Sequence, residues 1–94
     1  MERFQPGEVV LLSFPFSDAS GAKRRPALVL RDTGDEDVIV ARITSQMSQT
    51  AFDVEIADWE AANLILPSWV RVHKLATLQK RLVERRLGRL TPTD

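Results

Sequence analysis

Ninety-four residues suffice for one small hydrophobic core but not for two, so the chain reads as a single domain spanning residues 1–94. Its 44% apolar and 28% charged residues fit a globular domain rather than a disordered tail, and the absence of cysteine excludes disulfides and thiolate metal sites. Net charge is zero, yet residues 32–60 carry eight acids against Arg42, and residues 61–94 carry seven bases against Glu84 and Asp94, so a basic face toward an anionic partner is compatible with neutrality.

The single histidine cannot build a zinc site alone, and no metal ligand set is expected. The start Met1-Glu2-Arg3-Phe4-Gln5-Pro6 lacks the apolar stretch of a signal peptide, and no run approaches membrane-spanning length. A cytoplasmic protein without membrane contact is the expectation.

Val9 to Phe14 and Pro26 to Leu30 are short, continuously apolar runs rich in branched residues and bounded by Gly, Pro and Asp, the pattern of strands buried on both faces. The loop between them is rich in Ser, Asp and Gly and ends in three cations, Lys23, Arg24 and Arg25. Guanidinium groups aimed from a rigid strand edge suit phosphate better than a neutral substrate. Pro26, with its fixed φ and missing N–H, favours an extended start to the second strand. Thr33 to Asp37 reads as a turn in which Gly34 is available for positive φ. Val38 to Ile43 is a third strand, and Phe52 to Ile56 alternates as a half-exposed fourth. Asp58 to Asn63 fits one helical turn capped by Asp58, and Trp69 to Leu75 is a fifth strand.

After Thr77 the apolar period changes. Leu78, Leu82, Val83, Leu87 and Leu90 fit one helical face, Arg81, Arg85 and Arg89 another, and Gly88 stands where such a helix would close. Thr91, Pro92 and Asp94 then form a start signal for a further helix at the very end of the sequence. Five or more short strands with tight connections predict a mainly β (α+β) fold: an SH3-like, partly closed antiparallel barrel with a short C-terminal helix.

Five segments of this chain, in order, resemble the PemK/MazF family of toxin endoribonucleases. They are Gly7 to Phe16, Arg24 to Leu30, Ile43-Thr44-Ser45, Ser68 to Thr77, and Leu87 to Thr91. The resemblance implies the SH3-like fold and the toxin of a type II toxin–antitoxin pair. It further implies a sequence-specific, metal-independent endoribonuclease that cleaves single-stranded mRNA by 2′-hydroxyl attack and needs no cofactor. Products would carry a 2′,3′-cyclic phosphate and a 5′-hydroxyl. A homodimer with RNA grooves at or near its interface is implied too, as is a cognate antitoxin whose acidic, disordered tail competes for the same groove. Members of the family usually continue with a final C-terminal helix, which this sequence is expected to lack.

Arg25 occupies the position of the family's catalytic arginine, and the resemblance gives it the role of stabilising transition-state charge. Thr44 matches a family Thr or Ser that takes part in catalysis, and a small hydroxyl at a strand end suits a phosphate oxygen or the 2′-hydroxyl. Period-two alternation places Trp69, Arg71 and His73 on one face of the fifth strand, where ring, guanidinium and imidazole suit a stacked, unpaired nucleotide. One branch of the family has Arg-x-Asp here. This chain keeps Arg71 but has His73 for the aspartate, a competent acid or base near neutrality. The alternative for this row is a Trp69 that caps the core edge beside solvated Arg71 and His73. Lys23, Arg24, Ser45, Gln46 and Phe16, which opens the first loop, are further candidate RNA contacts. Where some relatives carry an acidic or imidazole residue before the Arg-Pro pair, this chain has Ser20 or another small residue, which leaves the general base open. Two other readings compete: a non-catalytic SH3-like module that binds an antitoxin or other partner, and direct poisoning of a DNA topoisomerase.

Overall fold

The computed structural model describes residues 3–15, 22–46 and 50–91. The branched, apolar runs pair as strands: β1 Glu8–Pro15, β2 Ala22–Asp32, β3 Asp37–Thr44, β4 Asp53–Ile56, β5 Ser68–Gln79 and β6 Val83–Arg89. All pairs are antiparallel, and the six strands lie in one sheet in the order β4-β5-β3-β2-β1-β6. Gly34 takes φ +85° in the β2–β3 turn, as its position suggested. The Asp35 carboxylate accepts the Thr33 hydroxyl at 2.5 Å and the Asp37 N–H at 2.9 Å in the same turn, and these donors lower its pKa.

Successive side chains point to opposite sides of a strand, and here both sides are buried. Val10, Leu12, Ala27, Val29, Val38 and Val40 pack on one face together with Phe4. Val9, Leu28, Ala41, Ile43, Ile56 and Val70 pack on the other. Truncating a fully buried member such as Leu12 would cost about 2–5 kcal/mol. Leu87 of β6 and Ile56 of β4, from the two ends of the strand order, meet in this second cluster. The sheet is therefore curled, although β4 and β6 do not pair and the barrel is not closed by a ladder.

The β4–β5 connection bridges the gap. One helical turn forms there as expected: the Ala62 N–H donates to Asp58 O at 3.3 Å, Asn63 N–H to Glu60 O at 3.0 Å and Leu64 N–H to Trp59 O at 3.0 Å. The last two bonds, with Asn63 at φ +61°, make a Schellman closure, and Asn is a residue that tolerates that conformation. The Asn63 side-chain amide donates to Leu87 O on β6. A Cβ on Gly88 would lie 2.8 Å from the Ala62 backbone, so this glycine permits close approach of the connection to β6.

The helix expected after Thr77 does not form. β5 runs on to Gln79, a 3-10 turn covers Lys80–Leu82, and β6 returns along β1. Two register shifts, between Val9 and Val10 and between Leu11 and Leu12, leave extra residues on the β6 side. Such bulges break strict alternation and give apolar spacings of three and four that imitate a helix. The five apolar residues do not share a face: Leu78, Leu82 and Val83 pack against the Val10 cluster, while Leu87 and Leu90 pack against the Val9 cluster. No helix among the described residues is long and apolar enough to cross a membrane.

Candidate functional site

The start of β2, the end of β3 and the start of β5 lie side by side because the three strands are antiparallel neighbours. In register, Ala27, Arg42, Arg71 and Asp53 form one row across β2, β3, β5 and β4. Arg25 stands two residues before Ala27 and so on the same face, and Thr44 two residues beyond Arg42. Leu12, opposite Arg25, is fully buried. The apolar packing of this face thus gives way to guanidinium groups.

A pocket of about 320 Å³ opens at this end. Its lining includes Arg25, Arg42, Arg71, Thr44, Ser45 and Gln46, with Leu64, Ile65 and Leu66 as an apolar wall. Ile65 is 89% exposed and Leu66 51%. Ser68 donates its hydroxyl to Leu66 O at 2.8 Å and so shapes the turn that carries this wall into β5.

The cations outnumber their counter-charges. Arg71 Nε lies 3.4 Å from Asp53 Oδ1, and that carboxylate side chain is only 2% exposed. Arg25 Nε, Arg42 Nε and Arg71 Nε are all shielded from solvent and make no hydrogen bond among the described residues. Burial, and then the like charges of Arg25 and Arg71, push the Arg42 pKa below its ordinary value. Thr44 Oγ1 accepts the Gln46 N–H at 3.2 Å, which orients the hydroxyl and leaves its hydrogen to donate. The assembled chemistry is that of an anion receptor: three cationic forks and a hydroxyl donor beside an apolar wall.

Of the residues singled out from the sequence, Arg25, Thr44, Arg71, Ser45 and Gln46 come together here. Arg24 does not. It faces the other side of the sheet and pairs with Glu84 at 2.8 Å. Trp69 is half-buried, opposite Thr44 and Glu55 in register, and is not part of the pocket wall. The Lys23 side chain and the whole of Phe16 and Ser20 lie outside the described residues. His73 stands apart from the pocket. Alternation holds for Trp69 and Arg71, which oppose Thr44 and Arg42, but the next β3 partner, Ala41, pairs with Leu75. Residues 72–74 bulge out, and the His73 ring rests on Phe52 with centroids 5.5 Å apart instead of joining the pocket.

Arg42 and Asp53 were missed as site residues. A cation inside the apolar run Val38 to Ile43, two positions from Thr44, was the available signal for Arg42. That Asp53 meets Arg71 depends on strand pairing, which the residue order does not reveal.

The curled sheet and its cationic pocket define a small antiparallel β domain with an anion-accepting groove. A family model of PemK-like, MazF-like toxins of type II toxin–antitoxin systems matches residues 5–94, and the chain belongs to that family. Two solved structures with similar folds are an endoribonuclease from a mycobacterial species and an endoribonuclease in complex with its cognate antitoxin, also mycobacterial. The first superposes with a TM-score of 0.74 at 21% identity over 99% of this chain and 81% of the other. The second gives 0.70 at 22% identity over 94% and 80%. At these identities the likeness is one of fold. Comparison with curated proteins finds no match.

Proposed function

We propose that this chain is the toxin of a type II pair and acts as a sequence-specific, metal-independent endoribonuclease on single-stranded mRNA. The observation that carries the proposal is the convergence of Arg25, Arg42 and Arg71 with Thr44 in one pocket walled by exposed Ile65 and Leu66. Phosphate needs cationic donors and an unpaired base needs apolar surface, and this pocket offers both.

Cleavage follows from those groups. The 2′-oxygen attacks the adjacent phosphorus, the bond from phosphorus to the 5′-oxygen breaks, and the upstream fragment keeps a 2′,3′-cyclic phosphate. The 2′-hydroxyl gives up its proton to water, the leaving 5′-oxygen takes one from water, and the downstream fragment so ends in a 5′-hydroxyl. Arg25 and Arg71 hold the non-bridging oxygens as charge builds on them, and Thr44 donates its hydrogen to one of them. Clustered cations also favour ionisation of the attacking hydroxyl. His73 has no part in this chemistry, because its ring is turned to Phe52.

A cytoplasmic homodimer and an antitoxin partner belong to the same proposal. Phe52, Val54 and Val72 are 59%, 53% and 41% exposed and adjoin where β4 meets β5, an apolar strip suited to a second copy. An antitoxin with an acidic, disordered tail suits the unbalanced cations of the pocket. The support for such a partner is family membership and the antitoxin-bound neighbour.

Incubation with single-stranded RNA in EDTA tests the chemistry. Cleavage with cyclic-phosphate and 5′-hydroxyl ends is expected, with duplex RNA resistant because its bases cannot splay into the pocket. Activity only on addition of magnesium or manganese would overturn the mechanism. Inertness toward diverse mRNA with partner binding intact would replace it by the non-catalytic module.

A further inference from the structure

We propose that Arg42 is a third phosphate-holding residue, forming the floor of a three-guanidinium cradle in which Arg25 and Arg71 are the walls. The inference rests on the ribonuclease reading for its substrate, but its anion-binding content stands on the geometry alone.

Strand order makes the case. β3 lies between β2 and β5, so Arg42 has Arg71 as its direct cross-strand partner on one side and Arg25 as its diagonal neighbour, two residues from its partner Ala27, on the other. An anion that reaches both outer guanidiniums crosses β3 beside Arg42 and Thr44. Arg42 and Arg71 are direct cross-strand partners, an arrangement of like charges that destabilises a sheet unless something offsets it. The Nε atoms of Arg25, Arg42 and Arg71 are all solvent-shielded without a hydrogen bond among the described residues, and of the three Arg71 has the ion-pair contact with Asp53, at 3.4 Å. A buried charged donor left unmatched is costly, and a multivalent anion supplies the missing acceptors. Burial and the flanking Arg25 and Arg71 charges disfavour the Arg42 cation in the free protein, which points the same way. Thr44, on the same strand and face, adds a donor whose orientation is already set by the Gln46 N–H. A role in fold stability alone predicts the opposite arrangement: an arginine conserving the sheet would be matched to a carboxylate, as Arg71 is.

Inorganic phosphate is the probe, titrated into the intact protein at constant ionic strength, with thermal stability and calorimetric binding as readouts. The wild type is expected to gain stability with phosphate and to bind it. Arg42→Gln should weaken phosphate about tenfold to a hundredfold, the range for one charge-assisted hydrogen bond. In the absence of phosphate it should fold at least as stably, since a like-charge contact has been removed. Arg42→Lys, which keeps charge but not the fork, should fall between. Arg24→Gln, outside the pocket, should bind phosphate as the wild type does. Unchanged phosphate affinity in a folded Arg42→Gln, or no binding by the wild type, overturns the inference. On RNA, Arg42→Gln should lower single-turnover kcat with a smaller change in KM. If phosphate binding depends on Arg42 while the wild type cleaves no RNA, the cradle stands and the ribonuclease reading fails.

Discussion

The two ends of the three central strands handle charge in opposite ways. Where β2 finishes and β3 begins, the Asp32 carboxylate takes Lys80 Nζ at 2.8 Å, the Phe4 N–H at 2.8 Å and the Gly34 N–H at 2.7 Å. Lys80 foremost, then the two N–H donors, hold the Asp32 carboxyl well below the usual carboxylate range. At the other end of the same strands, among the described residues, three guanidiniums lie near the Asp53 carboxylate, which meets Arg71. Hollows of similar size occur at both ends, about 350 Å³ beside Glu36, Gln79, Lys80 and Arg81, and about 320 Å³ at the arginines. Size does not distinguish them; charge matching does. The matched end ties the amino-terminal segment, the β2–β3 turn and the end of β5 together. The unmatched end keeps donors for a ligand.

If that division is right, substitutions at the two ends should separate rate from stability. The largest effect belongs to Arg25→Ala. Loss of one charge-stabilising donor should reduce single-turnover cleavage about 10²–10³-fold, with a melting curve close to wild type because no core side chain is removed. A large loss of stability with little loss of rate would break the comparison. Thr44→Ala should reduce the rate about tenfold, in line with one hydrogen bond to the reacting phosphate. A wild-type rate in a folded Thr44→Ala would remove the hydroxyl from the chemistry.

At the matched end, Asp32→Asn should lower stability at neutral pH and leave the cleavage rate of the folded protein unchanged. The sign of the pH effect follows from the depressed carboxyl. Its stabilising contribution is fully present above the unfolded value of about 3.9 and is lost as pH falls from there through the lower folded value. Acid titration of unfolding should therefore show a limb below about pH 4 in the wild type that is weakened in Asp32→Asn. Identical acid limbs would mean that Lys80 and the two N–H donors do not favour the charged form. The smallest effect is expected for His73→Ala, which should alter neither the rate nor its pH profile near neutrality. A reduced single-turnover rate in a folded His73→Ala would bring His73 back into the site.

Much of this was legible in the residues themselves. Apolar runs of five or six branched residues marked the strands, because a strand buried on both faces needs no polar alternation. Arg25 beside Pro26, Thr44 at a strand end and Arg71 in a strand were found chiefly because the segments that carry them resemble PemK/MazF motifs; without that resemblance a threonine at a strand end is ordinary. His73 and the helix after Thr77 were misread through one cause. Bulges in β5 and β6 change which side a residue faces, and where they fall emerges only when the paired strands are aligned.

The resemblance of its motifs marked Arg25, Thr44 and Arg71, and the order of residues by itself pointed to short, mostly β elements. Local sterics and burial are enough for that, since they act over a few neighbouring residues. Only the tertiary structure decided that β3 lies between β2 and β5, which makes Arg42 the centre of the cationic cluster and sets Asp53 against Arg71. Those contacts join residues that are distant in the chain, and whether their charges repel, pair or wait for an anion depends on distances that exist only once the strands are aligned.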